Sequence, residues 1–364
     1  MYLLIRAARA AIMLSIAAVV LFGCSANVSV APTPKPTTLP TLAPTVAPTN
    51  TDVPVAIPTA TETTMPTLET EQGMPVSEAS PRIIAAYFGI FDGAYDAAMD
   101  AADDIPWNKI NRLYIAFATV QDGELTDMTL NDTDDTAHER IARIVELYRA
   151  ANPDGEIFIS SSYGDELDAQ YRQAATDPQR FAQSVVDYLQ ANDLDGYDMD
   201  WESRAINAYA DDLKNLLDAT HDALQSAGPN ARGKAFQLTH TIWPGVHSTE
   251  TVARLADIVD QINLMTYGDG SMDDVQEAAQ EYGDAGFPRE KMIVGVESEY
   301  GYPSNGGVET QETIARKGAF VRDHNMAGMF TWRLDNDMRI ASDGTEGGPP
   351  TFRVAGWVYD EMAQ

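Results

Sequence analysis

The chain has 364 residues, 44% of them hydrophobic, enough for a sizeable core even if part of it stays unfolded. Acids outnumber bases 55 to 24, a formal net charge of −31 that disfavours nucleic acid and polyanionic glycans as partners. The single cysteine, Cys24, excludes a disulfide framework and any thiol cluster for metal or redox chemistry.

Residues 1–24 read as an export address. Arg6 and Arg9 make a positive head, and Ala10 to Gly23 is almost wholly apolar but short for a bilayer span. The run Leu21-Phe22-Gly23-Cys24 resembles a bacterial lipobox, which makes Cys24 the expected lipid anchor. The expected location is a membrane surface, facing outward; an uncleaved N-terminal anchor would leave the protein in the same place. Residues 25–81 are rich in Thr, Pro and Ala and hold more than half of the 20 prolines. Such composition cannot bury a core and favours polyproline-like chain, so a disordered linker is expected.

Residues 82–364 alternate short apolar runs with helical patterns. Arg82–Phe88 is the first expected strand, followed by an Ala-rich helix near 93–104. Asn111–Ala118 is the second, and Ile141, Ile144, Val145 and Tyr148 then recur at helix spacing. Glu156–Ser161 is the third. Asp177-Pro178 opens the next helix as cap and first-turn proline, with Phe181, Val185 and Leu189 as its buried stripe.

The fourth strand carries Asp195-Gly196-Tyr197-Asp198-Met199-Asp200-Trp201-Glu202, with Ile206, Tyr209, Leu213 and Leu217 on a helix behind it. Phe236–Trp243 is fifth, Val259–Tyr267 sixth, Met292–Glu297 seventh and Ala327–Trp332 eighth. A last helix covers Phe352–Met362. Strict alternation favours parallel strands, and eight of them close a single (β/α)8 TIM barrel, an α/β fold whose sites lie at the C-terminal strand ends.

The acidic strand holds the chemistry. Alternate residues of a strand share a face, so Asp198, Asp200 and Glu202 point one way, with Asp200 and Glu202 roughly 6.6 Å apart along the chain. Three carboxyls on one face cannot all be charged at neutral pH, and one that keeps its proton near pH 7 is a ready general acid. Spacing alone is weak support in so acidic a chain. An EF-hand would use Asp193, Asp195, Gly196 and Glu202 as its third, fifth, sixth and twelfth positions, but Ala191 stands where the first ligand is needed. A plain solvated acidic loop is the remaining alternative.

The run resembles the D-G-x-D-x-D-x-E signature of glycoside hydrolase family 18, the chitinase and endo-β-N-acetylglucosaminidase family. Asn111–Ala118 is similar to that family's second strand, Met265-Thr266-Tyr267 to its M-x-Y element, and Gly328–Trp332 to its last strand. The resemblance implies a glycosidase that cuts β-1,4 bonds at N-acetylglucosamine residues by a retaining, substrate-assisted route. Glu202 is then the proton donor, Asp200 the partner of the substrate acetamido group, and Asp198 the residue sharing a proton with Asp200. Tyr267 donates to the acetamido oxygen and Trp332 floors the sugar site, while Met265, Asp195 and Tyr87 complete the expected substrate contacts. No cofactor or metal is required. The expected partner is a GlcNAc-containing oligo- or polysaccharide, met by a monomer held to the membrane through its N-terminal lipid. N-glycan release at the chitobiose core and a sugar-binding barrel lectin are the alternatives.

There are departures. The third strand ends Ser160-Ser161-Ser162-Tyr163-Gly164 in place of S-x-G-G, and Gly268 follows Tyr267 where many members have Asp, with Asp269 a possible substitute. Glu297 and Glu299 close strand seven, where uncharged residues are common. His240 and Trp243 end strand five, as subsite candidates or, read as lone residues, as structural ones.

Overall fold

The structure is a computed structural model that describes residues 81–131, 133–161, 165–299, 307–339 and 347–364. The expected signal segment with Cys24, nearly all of the expected linker, and the Ser162-Tyr163-Gly164 turn lie outside the described residues.

Eight parallel strands close a barrel: β1 (Ile83–Gly89), β2 (Arg112–Gln121), β4 (Glu156–Ser161), β5 (Gly196–Met199), β6 (Gln237–Ile242), β7 (Gln261–Leu264), β8 (Met292–Glu297) and β9 (Gly328–Trp332). β1 pairs with both β2 and β9, which shuts the ring. All eight expected strands are present, and the (β/α)8 architecture is the observed one. A short β3 (Glu124–Asp127) folds back antiparallel on β2 and was not foreseen, because four residues with two acids carry no period.

Alternation sorts the side chains. Ile84, Ala86 and Phe88 of β1 point outward into the layer shared with the helices, whereas Ala85 and Tyr87 point into the barrel. Inside, Tyr87 stacks on Tyr114 with centroids 4.6 Å apart, and Tyr114 leans on Phe158. The bottom is closed by polar groups: Arg112 donates to Glu156, Gln237 and Gln261 and lies over the Phe158 ring. The buried Arg is thus fully engaged.

The helices follow their signals. Ala137–Ala151 starts with a capping box, Thr136 and Glu139 exchanging hydrogen bonds. Pro178–Ala191 is capped by Asp177 and buries Phe181, Val185 and Leu189 as expected. Ile206 and Tyr209 form a separate 3-10 turn ahead of Ala210–Ala227. A further helix, Asp165–Ala174, precedes Pro178–Ala191; its polar sequence hid it, yet Leu167, Tyr171 and Ala174 are buried at helical spacing.

Candidate active site

β5 ends at Met199, and residues 200–203 continue without regular secondary structure, the Ser203 N–H donating to the Trp201 carbonyl. Trp201 turns outward, stacks on Tyr171 at 4.7 Å and donates its indole N–H to Asp168 Oδ1 at 2.7 Å. Ser203 Oγ donates to the other oxygen of Asp168. With Trp201 and Ser203 pinned to the unforeseen helix, Asp200 and Glu202 face a cavity of about 750 Å³ at the C-terminal mouth of the barrel.

Asp198 lies beneath them, wholly buried. Its Oδ1 accepts from Thr239 at 2.6 Å and Asn263 at 3.3 Å. Its Oδ2 accepts from Ser160 at 2.7 Å, Tyr87 at 2.9 Å and Thr241 at 3.2 Å. Burial pushes the Asp198 carboxyl up, and these donors hold it back. Asp200 has no such support: its Oδ1 meets no hydrogen-bond donor among the described residues. Burial first, then the charges of Glu202 and Asp198, push its carboxyl well above the ordinary range. Burial lifts Glu202 to about 7. Asp198 is therefore the member best suited to carry charge, with protons kept by the two above it.

Tyr87, Met265, Tyr267 and Trp332 all line the same cavity. Trp332 is tilted against Tyr87 at 5.5 Å and stacked near Phe117, and its indole N–H donates to Glu299 Oε2 at 3.1 Å. Tyr267 packs edge-on to Phe330. Gly295 on β8 makes room for both, since a Cβ there would stand 2.9 Å from each ring.

Asp195 is a correction. It is not a substrate contact: it precedes β5 at the opposite end of the barrel, is buried, and forms the centre of a polar hub. Arg149 and Ile157 N–H donate to its Oδ2, and Arg232 and Asn230 to its Oδ1. The D-G step belongs to the strand's start, and a single strand cannot present both of its ends to one cavity. Asp269 does not substitute for the expected Asp either: its carboxylate accepts from the Thr310 N–H and from the Thr310 and Thr313 hydroxyls, which ties it to the start of the helix Gln311–Asp323, whose N-cap is Thr310.

Of the residues left open, Trp243 and Glu299 line the cavity. His240 does not; it is buried outside the ring with Nδ1 beside Met199 O, and burial lowers it to about 4. Glu297 is buried at the end of β8. Composition and spacing missed Phe91, Asp92, Thr241 and Arg333, and also Asp274, Glu277 and Glu281 on the helix Met272–Asp284. The usable signal was position, for Phe91, Asp92 and Arg333 stand just past strand ends. Arg333 is buried and bridges Asp92, Glu299 and Asp335, so it braces the wall beside Trp332.

The family model described as glycosyl hydrolases family 18 matches residues 84–307. The chain belongs to glycosyl hydrolase family 18. Among curated relatives, an endochitinase of Brugia malayi is 23% identical over 223 residues, covering 53% of this chain and 44% of the relative. Chitinase A1 of Niallia circulans is 32% identical over 156 residues, 32% of this chain and 22% of the relative. The chain thus spans less than half the length of these two relatives. Two solved structures share the fold: a class V chitinase from Nicotiana tobaccum in complex with NAG4 (TM-score 0.62, 15% identity, 78% of this chain and 99% of that one) and a chitinase-like agglutinin from Robinia pseudoacacia (TM-score 0.61, 15% identity, 77% and 99%).

Proposed function

We propose that this family 18 barrel is a retaining, endo-acting glycosidase that cuts β-1,4 bonds at N-acetylglucosamine residues of chitin or chito-oligosaccharides. The observation that carries the reading is a carboxyl held at about 7, Glu202, facing the same cavity as Asp200, Tyr267 and Trp332. Glu202 gives its proton to the glycosidic oxygen as the C–O bond breaks. The carbonyl oxygen of the substrate's own 2-acetamido group attacks the anomeric carbon and forms an oxazolinium ion. Water, deprotonated by Glu202, then opens that ion from the original face, so configuration is retained and the proton returns to Glu202. Asp200 accepts from the acetamido N–H as positive charge grows. Asp198, charged beneath it, keeps the pair at one shared proton. Tyr267 donates to the acetamido oxygen, and Trp332 stacks under the apolar face of the sugar.

Between β8 and β9 the described residues supply only the helix Gln311–Asp323 beside connecting chain, which supports an open cleft and endo cleavage. A likeness in fold to an agglutinin keeps a binding-only barrel as the second reading. The deciding experiment is mass spectrometry and anomer analysis of products from chito-oligosaccharides and from a high-mannose glycoprotein. β-Anomeric chito-oligomers support the proposal, and a released N-glycan moves it to the chitobiose core. Sugar bound but recovered intact replaces it with the lectin.

A further inference from the structure

Lys317 and Glu309 form an ion pair with no exposed surface on either side chain, Nζ to Oε1 at 2.6 Å, and neither lines the cavity. Burial alone pushes the Lys317 ammonium pKa down and the Glu309 carboxyl up, while their mutual attraction opposes both shifts. Buried ion pairs seldom outweigh their desolvation, and apolar side chains of like volume commonly serve stability as well. What apolar groups could not supply is a grip on backbone polar atoms.

That grip falls on both sides of Tyr267. Lys317 Nζ donates to the carbonyl of Thr266 at 2.5 Å and to that of Gly295 at 2.9 Å. Glu309 Oε1 accepts from the N–H of Gly268 at 3.2 Å and from that of Glu297 at 2.9 Å. The β7–β8 ladder stops at the Leu264–Val294 pair, so Tyr267 stands beyond the last laddered residue. The ion pair takes over from the missing ladder. It ties the peptide groups before and after Tyr267 to β8 through Gly295 and Glu297. Ser271 Oγ, donating to the carbonyls of Thr266 and Gly268, completes the clamp.

We propose that the buried Lys317–Glu309 pair positions Tyr267 for the reaction at the anomeric carbon, acting on turnover without touching substrate. This rests on the glycosidase reading above. Tyr267 acts on the acetamido oxygen as it attacks, so a displaced ring lowers kcat more than it raises KM.

The test is the double replacement Lys317→Met with Glu309→Leu, made in the wild-type and in a Tyr267→Phe background and assayed on chitotetraose. In the wild-type background kcat should fall about tenfold to a hundredfold with KM little changed, the scale expected of a misplacement near 1 Å. In the Tyr267→Phe background the same replacement should cost less than about threefold, because the group it positions no longer acts. Equal losses in both backgrounds, or no loss in the wild type, overturn the proposal. Should that double variant fail to fold, Lys317→Met with Glu309→Gln, which strands no charge and removes only the Lys317 donors to the Thr266 and Gly295 carbonyls, is read in the same backgrounds against the same outcomes. A wild-type chain inactive on chitotetraose removes the glycosidase reading and this inference with it. An active wild type with additive losses removes the inference alone.

Discussion

Glu202→Gln should make the protein more stable and nearly inactive, with the stability gain appearing only as pH rises. In the unfolded chain the Glu202 carboxyl ionises at its ordinary 4.5; in the folded protein it does so at about 7. Below pH 4.5 both states hold the proton, and glutamine has little advantage. Between 4.5 and 7 the unfolded wild-type chain releases the proton while the folded one keeps it, so wild-type stability falls with pH. Above pH 7 the folded protein carries the desolvated charge, at a cost of about 3 kcal/mol relative to the uncharged amide. Removing that charge also relieves Asp200, whose carboxyl it pushes up. The thermal midpoint of Glu202→Gln should therefore exceed wild type by roughly 5–10 °C at pH 8 and by much less at pH 5. Turnover should drop about 100- to 10,000-fold, the span of general acid catalysis, while chitotetraose still binds. Differential scanning calorimetry at the two pH values, with a hydrolysis assay on the same samples, reads both. Midpoints that run parallel from pH 5 to 8, or an unchanged kcat, would refute the reasoning.

Tyr87→Phe removes one donor from Asp198, so that carboxyl should ionise at higher pH. The acid limb of kcat/KM should then move up by about one to two pH units, and an unmoved limb would separate Asp198 from the reaction. Asp195→Asn should cost about 3 kcal/mol of stability by leaving Arg232 without its carboxylate and Arg149 with Asp193 alone, yet leave kcat/KM of the folded fraction near wild type; a selective loss of activity would return Asp195 to the site. If Cys24 carries lipid, Cys24→Ser should move the protein from the membrane fraction to the soluble one and abolish labelling by a radioactive fatty acid, and persistent labelling would exclude that residue.

The strand count and the position of Glu202 were legible because both depend on local period. Eight apolar runs divided by helical patterns leave few closed arrangements, and an acid at every second position of a strand must face one side. The same logic misplaced Asp195, since alternation tells which face a residue takes and says nothing of how far along the barrel axis the cavity reaches. The helix Asp165–Ala174 escaped notice because its three buried residues sit among polar ones, and its role for Trp201 and Ser203 follows from long-range contacts.

Local chemistry thus determined the order of elements and the three stacked acids of β5 and the residues just beyond it. Only closure of the ring decided how those acids differ. It brings Tyr87, Ser160, Thr239, Thr241 and Asn263, drawn from four other strands, onto Asp198 and sends no donor to Asp200 Oδ1 among the described residues. Proton affinity inside a protein is set by desolvation and by donors distant in sequence, and neither has a local pattern.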